Sequence, residues 1–421
     1  MTSAPKDEWL VEQLVVGGDG MARLVDGRVG FATGAFPGDR LRAERVTNHK
    51  TWVRADEWTL LAPSPDRVAP PCPVANECGG CDWMALSRSA QLLGKASLVR
   101  QALRRAGGLQ DLPEEVPVRS EGPDLGYRNR LRLHVDRAGR VGMFARGSHD
   151  VVEIPSCAVS DPSASRALQR IRELAPPGAL ARWKEIEIRV APIGPPVSVW
   201  LMPREQRAAT AHERELLASF NGEWLAVEAG TAGDDQRWPL PGEVELRVPL
   251  GGFVQVNSAV NFDLVSELLV GVKQRGISTF IELYAGAGNF TLPLLRAGLR
   301  GVAIERAGAS IRAARRAARA QDLSDDAFVA GDGPRELLRR GKPAPDLVLL
   351  DPPRTGARDA VDPLLRAAPR FIAFCACDPA TLARDVKALS TGYSLESVTA
   401  FDMFPHTHHV ETLLWLRRNE P

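Results

Sequence analysis

No uncharged run in this 421-residue sequence is long enough to cross a bilayer. The longest, Val248 to Phe262, covers about 15 residues where roughly 18–20 are needed. The opening Met-Thr-Ser-Ala-Pro-Lys-Asp-Glu-Trp lacks the basic-then-apolar layout of a secretory leader, so a cytoplasmic protein with no membrane partner is expected. Excess charge is also missing: 53 Lys+Arg against 52 Asp+Glu leave a formal net charge of +1. A bulk polycation is excluded, and any nucleic-acid site must be a local patch. Cysteine is scarce, with six residues, too few for a disulfide scaffold. What remains is ordinary for a globular protein, 44% hydrophobic and 25% charged, and a chain this long predicts two to three domains at roughly 150 residues each.

The six cysteines are not scattered. Cys72, Cys78 and Cys81 stand in Pro-Cys-Pro-Val-Ala-Asn-Glu-Cys-Gly-Gly-Cys, Cys157 follows in Ile-Pro-Ser-Cys-Ala-Val, and Cys375 and Cys377 lie near the C-terminus. Gly79 and Gly80 allow a tight turn that brings several sulfurs onto one metal centre, with Cys157 as a fourth thiolate. Zinc and an iron–sulfur cluster both accept four cysteines. Zinc usually takes two short pairs, so a single remote fourth ligand tilts the spacing mildly toward iron–sulfur. The plainer alternative is four unrelated buried thiols.

Residues 9–61 read as five short strands separated by glycine turns, a small barrel. A proline linker (Pro63, Pro65, Pro70, Pro71) leads into the cysteine loop, and Ser87 to Ala106 has helical apolar spacing. Tyr127–Val135 and Val141–Ala145 alternate as strands. The first puts Arg128, Arg130 and Arg132 on one face without an interleaved acid, an arrangement suited either to phosphate contact or to a solvated face. After Gln274 strands and helices alternate, and the near-continuous apolar strands predict a parallel sheet covered on both faces.

Within that region, Ile281-Glu282-Leu283-Tyr284-Ala285-Gly286-Ala287-Gly288-Asn289-Phe290-Thr291 places Gly-x-Gly at a strand-to-helix turn, and Glu305 follows 19 residues after Gly286 at the end of the next strand. Close backbone approach followed by a carboxylate suits a ribose. Thr291 replaces the third glycine of a dinucleotide cradle, which favours an adenosyl ligand without phosphates, such as S-adenosylmethionine. Asp332 and Asp351 end the following strands, where open α/β sheets bind ligands; helix capping is the competing role for Asp332.

Six segments together resemble the RNA 5-methyluridine methyltransferases. They are the glycine-turn barrel, similar to a TRAM (OB-type) RNA-binding module; Cys72/Cys78/Cys81 with Cys157; Phe253-Val254-Gln255-Val256-Asn257; Leu283–Thr291; Asp351-Pro352-Pro353-Arg354-x-Gly356; and Cys377-Asp378-Pro379-Ala380-Thr381-Leu382-Ala383-Arg384-Asp385, followed by Asp402-Met403-Phe404-Pro405-His406-Thr407 and Val410-Glu411. The resemblance implies three parts: a barrel at 1–64, a central α+β domain at 65–245 holding a [4Fe-4S] cluster on the four cysteines, and a Rossmann-like α/β methyltransferase domain at 246–421. It also implies Cys377 as nucleophile and Glu411 as the base for the C5 proton. Gln255, Tyr284, Asn289, Glu305, Asp332 and Asp351 would line the S-adenosylmethionine site, and Phe253 would stack on the target base. The sequence departs from the family at Asp378, where an asparagine is usual, and at the additional Cys375.

The residues make chemical sense of such a reaction. A thiolate adding to C6 of uracil makes C5 electron-rich, and a base must then remove the C5 proton so that the thiol can leave. Arg384 or the helix start after Pro379 is expected to lower the pKa of Cys377. His406, His408 and His409 read as loop residues facing RNA. A structured RNA partner is expected, ribosomal rather than transfer RNA, bound by a monomer with its target base flipped out. The rival readings are a transfer-RNA uridine methyltransferase, a 5-methylcytosine enzyme, and a non-catalytic RNA-binding protein.

Overall fold

The computed structural model describes residues 8–176, 178–193, 197–205, 208–220, 225–228 and 235–420. Glycine turns divide residues 8–62 into strands Glu8–Leu10, Gln13–Leu14, Gly20–Arg23, Val29–Ala32, Arg40–Asn48 and Trp52–Ala62. The first two are consecutive pieces of one stretch. Glu8–Leu10 pairs with Arg40–Asn48 at one edge, and Gln13–Leu14 pairs with Gly20–Arg23 at the other. This division, by which one expected strand becomes two, brings the two edges of the sheet together around Trp9, Val11, Ala32, Leu41 and Val53. Gly20 is required there, because a Cβ would sit 2.4 Å from the Ala35 carbonyl oxygen.

The cysteine loop leads to a helix, Arg88–Arg105, whose N-cap Ser87 accepts from Ala90 N at 3.4 Å. A second sheet runs in the order Val151–Glu153, Val141–Phe144, Arg130–Val135, Trp183–Val190, Val197–Pro203 and Leu225–Glu228, antiparallel except for its last pair. Helix Pro162–Leu174 covers one face through Ala164, Ala167, Leu168 and Ile171. Arg128 lies outside the regular strand and meets Ser160 and Asn257 as isolated bridges.

The C-terminal sheet has eight strands in the order Phe328–Ala330, Arg300–Glu305, Thr279–Leu283, Leu347–Leu350, Phe371–Ala376, Glu411–Arg418, Tyr393–Phe401 and Val118–Arg119. The first five are parallel, as the apolar runs predict. Glu411–Arg418, however, is antiparallel to both its neighbours. Residues 402–410 form a connection too short for the crossover that parallel strands need, so this end of the sheet is a hairpin. Apolar content predicts a buried strand but not its direction.

The 65–245 segment does not pack as one body. Val99, Ala102, Leu103 and Val116 share a core with Ile372, Phe374, Leu382 and Leu414, and Val118–Arg119 extends the C-terminal sheet. The hairpin of Gln236–Leu240 with Val244–Val248 likewise packs against helix Gly308–Arg319.

Candidate active site and cysteine pocket

The carboxyl ends of the parallel strands open onto a cavity of about 560 Å³, within the size range of small-ligand sites. Its lining brings together Phe253, Gln255, Tyr284, Asn289, Glu305, Asp351, Cys377 and Glu411, with Arg128, Arg130 and Arg354. Leu283 ends its strand, and Tyr284 then takes a left-handed conformation (φ 62°) that swings its ring away from the strand, its hydroxyl donating to Asp359 Oδ1 at 3.1 Å. The following loop is tied to the next strand, since Glu305 accepts from Gly286 N at 3.0 Å and from Ala307 N at 2.7 Å. Asn289 and Asn261 exchange two amide hydrogen bonds of 2.9 and 3.0 Å, fixing the loop to helix Ser258–Gln274. Gln255 is buried, with its carbonyl accepting from Asn129 Nδ2 at 2.9 Å. Phe253 is 61% exposed at the cavity mouth, and the Arg130 guanidinium lies 5.8 Å from its ring centroid.

Two expected residues lie elsewhere. Asp332 caps helix Gly333–Arg340, pairs with Arg306, and lines an adjoining cavity of about 440 Å³ that shares Tyr284, Glu305 and Pro353 with the first. Arg132 is drawn toward a neighbouring strand, where Glu187 meets it at 3.2 Å and Glu185 at 4.0 Å. The acids that neutralise it are therefore on Trp183–Val190, which the alternation of its own strand could not reveal. Arg128, by contrast, borders both the large cavity and the cysteine pocket, and its Nε is buried without a hydrogen-bond partner.

The two C-terminal thiols differ in position. Cys375 is wholly buried in strand Phe371–Ala376, whereas Cys377, just beyond the strand, lines the cavity. Asp351, Cys375 and Glu411 bring their polar side-chain atoms within 4.8 Å of one another. Burial pushes the carboxyls of Asp351 and Glu411 up, and the charge of Asp351 raises Glu411 further. Cys377 is pushed up to about 12 by burial and then by the negative charge of Glu411, with Arg354 acting in the opposite sense. This reverses the expectation of a lowered pKa. Arg384 is held by Asp385 (2.8 Å) and the Thr355 carbonyl (2.9 Å), and Asp378 occupies the helix start by accepting from Thr381 N at 2.8 Å. Both expected sources of positive potential are already engaged.

Two lining residues have no expected role from the sequence. Glu282 is 1% exposed, accepts a hydrogen bond from Thr291, and is pushed up to about 8 by burial. An acid inside the apolar strand Thr279–Leu283 is the signal for it. Arg354 was visible only as part of the Asp-Pro-Pro-Arg string. The histidine segment faces inward as much as outward: His406 is buried against Gln91, and His408 pairs through Nδ1 with Asp82 at 2.6 Å.

Cys72, Cys78, Cys81 and Cys157 line a separate cavity of about 210 Å³. Burial raises the thiols of Cys78, Cys81 and Cys157, and negative charge on neighbouring cysteines would raise each further, so four thiolates here would need a cationic centre. Among the described residues, the trio with ligand atoms inside 4.8 Å of one another is Asp351, Cys375 and Glu411, not three of these four cysteines. A tetrahedral zinc ion draws its sulfurs to roughly 3.8 Å of one another, given Zn–S bonds of ~2.3 Å. No three of these four sulfurs lie that close together.

Comparisons with known proteins agree with this geometry. The family model described as tRNA (Uracil-5-)-methyltransferase matches residues 242–329 and 342–419. The 23S rRNA (uracil(1939)-C(5))-methyltransferase RlmD of Thiobacillus denitrificans is 34% identical over 427 residues, covering 95% of this chain and 97% of that protein. The protein of the same name from Acidithiobacillus ferrooxidans is 32% identical, covering 99% and 98%. Among solved structures, the Pyrococcus abyssi tRNA (uracil-54, C5)-methyltransferase in complex with S-adenosyl-L-homocysteine superposes with a TM-score of 0.77 at 23% identity, covering 98% of this chain and 100% of that one. With full-length relatives above 30% identity, and with glycine loop, thiol and buried carboxylates converging on one cavity, the chain belongs to the RNA uracil-C5 methyltransferase family.

Proposed function

We propose that the chain methylates C5 of a uridine in 23S ribosomal RNA, with Cys377 as nucleophile and Glu411 as base. One observation carries this reading: Cys377 and Glu411 share a cavity with the glycine loop and Glu305. S-adenosylmethionine fits that loop and supplies a sulfonium that is both a positive charge and an electrophilic methyl. Gln255, Tyr284, Asn289, Glu305 and Asp351 would hold it, with Asp332 reaching it from the adjoining cavity.

Cys377 gives up its thiol proton to solvent, its thiolate sulfur bonds to C6, and the C5=C6 electron pair moves onto C5 and O4, ready to capture the methyl. Arg354, the cation whose charge favours the Cys377 thiolate, supports this step. Once C5 carries the methyl, Glu411 takes the C5 proton. The freed pair re-forms C5=C6, and the C6–S bond breaks to return the thiolate. Phe253, exposed at the mouth, would stack on the flipped base, with Arg128 and Arg130 toward its phosphates.

The four cysteines would hold a [4Fe-4S] cluster, which supplies a covalent anchor for their loop. Residues 1–64 would act as a TRAM-like RNA-binding barrel, 65–245 as the cluster-bearing part and 246–421 as the methyltransferase, and the residues named for the reaction all lie on one chain. Among the described residues, no helix is long and apolar enough to cross a membrane.

The test is mass mapping of 5-methyluridine in RNA from cells with and without the gene. Loss of one 23S site is the expected outcome. Loss from transfer RNA with an unchanged 23S map would overturn the ribosomal assignment.

A further inference from the structure

Cys375 pairs across the sheet with Leu413, so Glu411, two residues earlier on the antiparallel neighbour, lies diagonally from it on the same face. The Cys375 thiol donates to Glu411 Oε1 at 3.4 Å, and both residues are buried, at 0% and 2% exposure. The groups facing that carboxyl are Asp351 after the adjacent strand, Cys375 and Cys377 on one side of the hairpin, and Arg354 from the double-proline loop. Asp351 opposes ionisation of Glu411; Arg354 and the Cys375 S–H favour it.

We propose that Cys375 is a positioning residue for the base: its S–H donates to Glu411 and stabilises, against the charge of Asp351, the carboxylate that must accept the C5 proton. Burial and the adjacent acids hold Cys375 itself firmly protonated, so it serves as a donor and not as a second nucleophile. The inference rests on the roles proposed above for Cys377 and Glu411 and adds a step-specific function for a residue outside the cavity lining.

The test uses the full-length, cluster-loaded protein with S-adenosylmethionine and 23S rRNA from a strain lacking the gene. Cys375→Val stays apolar, adds one methyl group and loses the donor; Cys375→Ser keeps a donor. In the Val protein, elimination should slow, so that the covalent protein–RNA adduct accumulates on a denaturing gel. The acidic limb of the elimination rate should move to higher pH by roughly half to one unit, the effect of one ordinary buried hydrogen bond. The sign follows from the donor: without it Glu411 holds its proton to higher pH, and fewer molecules carry the free base. The Ser protein should return near the native limb, and S-adenosylmethionine affinity should not change in either variant. A native pH profile in the Val protein, or a Ser protein no better than Val, would overturn the proposal. Adduct formation by a Cys377→Ala protein would instead overturn the underlying assignment of the nucleophile, independently of the Cys375 variants.

Discussion

At the scale of single residues, the cavity sets a protonation problem that the sequence alone states incorrectly. Cys377 is pushed up to about 12 by burial and by Glu411, with the charge of Arg354 acting in the opposite sense. Cys377→Ala should abolish methylation while RNA and S-adenosylmethionine binding persist; turnover by this variant in a labelled-methyl assay would contradict the mechanism. Glu411→Gln should stop after methyl transfer and leave the adduct on a denaturing gel. Glu282 gives a stability prediction. Its pKa rises from 4.5 to about 8 on folding, so between those values the folded chain binds more protons than the unfolded one, and stability falls as pH rises. Glu282→Gln removes that penalty and should stabilise the protein at pH 8 by on the order of 1–3 kcal/mol, with little gain at pH 5. Urea titrations at the two pH values check it, and an equal effect at both would show that the buried carboxyl is not the cause.

At the scale of elements, the connection 402–410 decides where Glu411 stands, and helix Arg88–Arg105 holds that connection. Lys95, fully buried on the helix, donates to Asp402 and to the Phe404 carbonyl at 2.9 Å, while Gln91 accepts from His406 N at 2.8 Å. Arg88 gives Asp402 a second cation. Lys95→Ala leaves a buried carboxylate with Arg88 alone and should cost roughly 3 kcal/mol in chemical unfolding, the low end for a broken buried pair. A cost below ~1 kcal/mol would mean that Arg88 alone is enough. None of this was legible in the sequence, because Lys95 and Asp402 are over 300 residues apart and a lysine among apolar helix positions reads as surface. Local signals fared better. The helix beginning near Ser87, the five parallel strands and the glycine loop all follow from periodicity and turn chemistry. Strand direction at the hairpin, the acids that claim Arg132 and the edge strand Val118–Arg119 depend on long-range pairing and could not be read locally.

At the scale of the whole molecule, the cysteine pocket is joined to the hairpin that carries Glu411 by the residues that directly follow Cys81. Asp82 accepts from His408 N at 3.1 Å and pairs with its Nδ1, and Trp83 N donates to the His406 carbonyl at 3.0 Å. The Trp83 indole donates to the Gly18 carbonyl in the barrel at 3.0 Å, and Tyr127 donates to the Pro405 carbonyl at 3.2 Å. Barrel, cysteine loop and hairpin thus meet within a few residues, and an anchor on Cys81 reaches Glu411 through His408. A loop with little regular structure holds such a position only if something fixes its other end, and four thiols around a metal centre can do that. Cys81→Ser should therefore remove the visible absorbance expected of the proposed cluster and increase hydrogen exchange in both the cysteine loop and residues 404–410. Exchange in the parallel strands Phe328–Ala330 and Arg300–Glu305, toward the opposite edge of the sheet from the hairpin, should stay native. S-adenosylmethionine affinity should hold as well, since the glycine loop is fixed by Glu305 and Asn261 and not by the cysteines. If exchange rises at the cysteines alone, the contact through Asp82 and Trp83 does not carry order to the base, and the centre serves only its own loop.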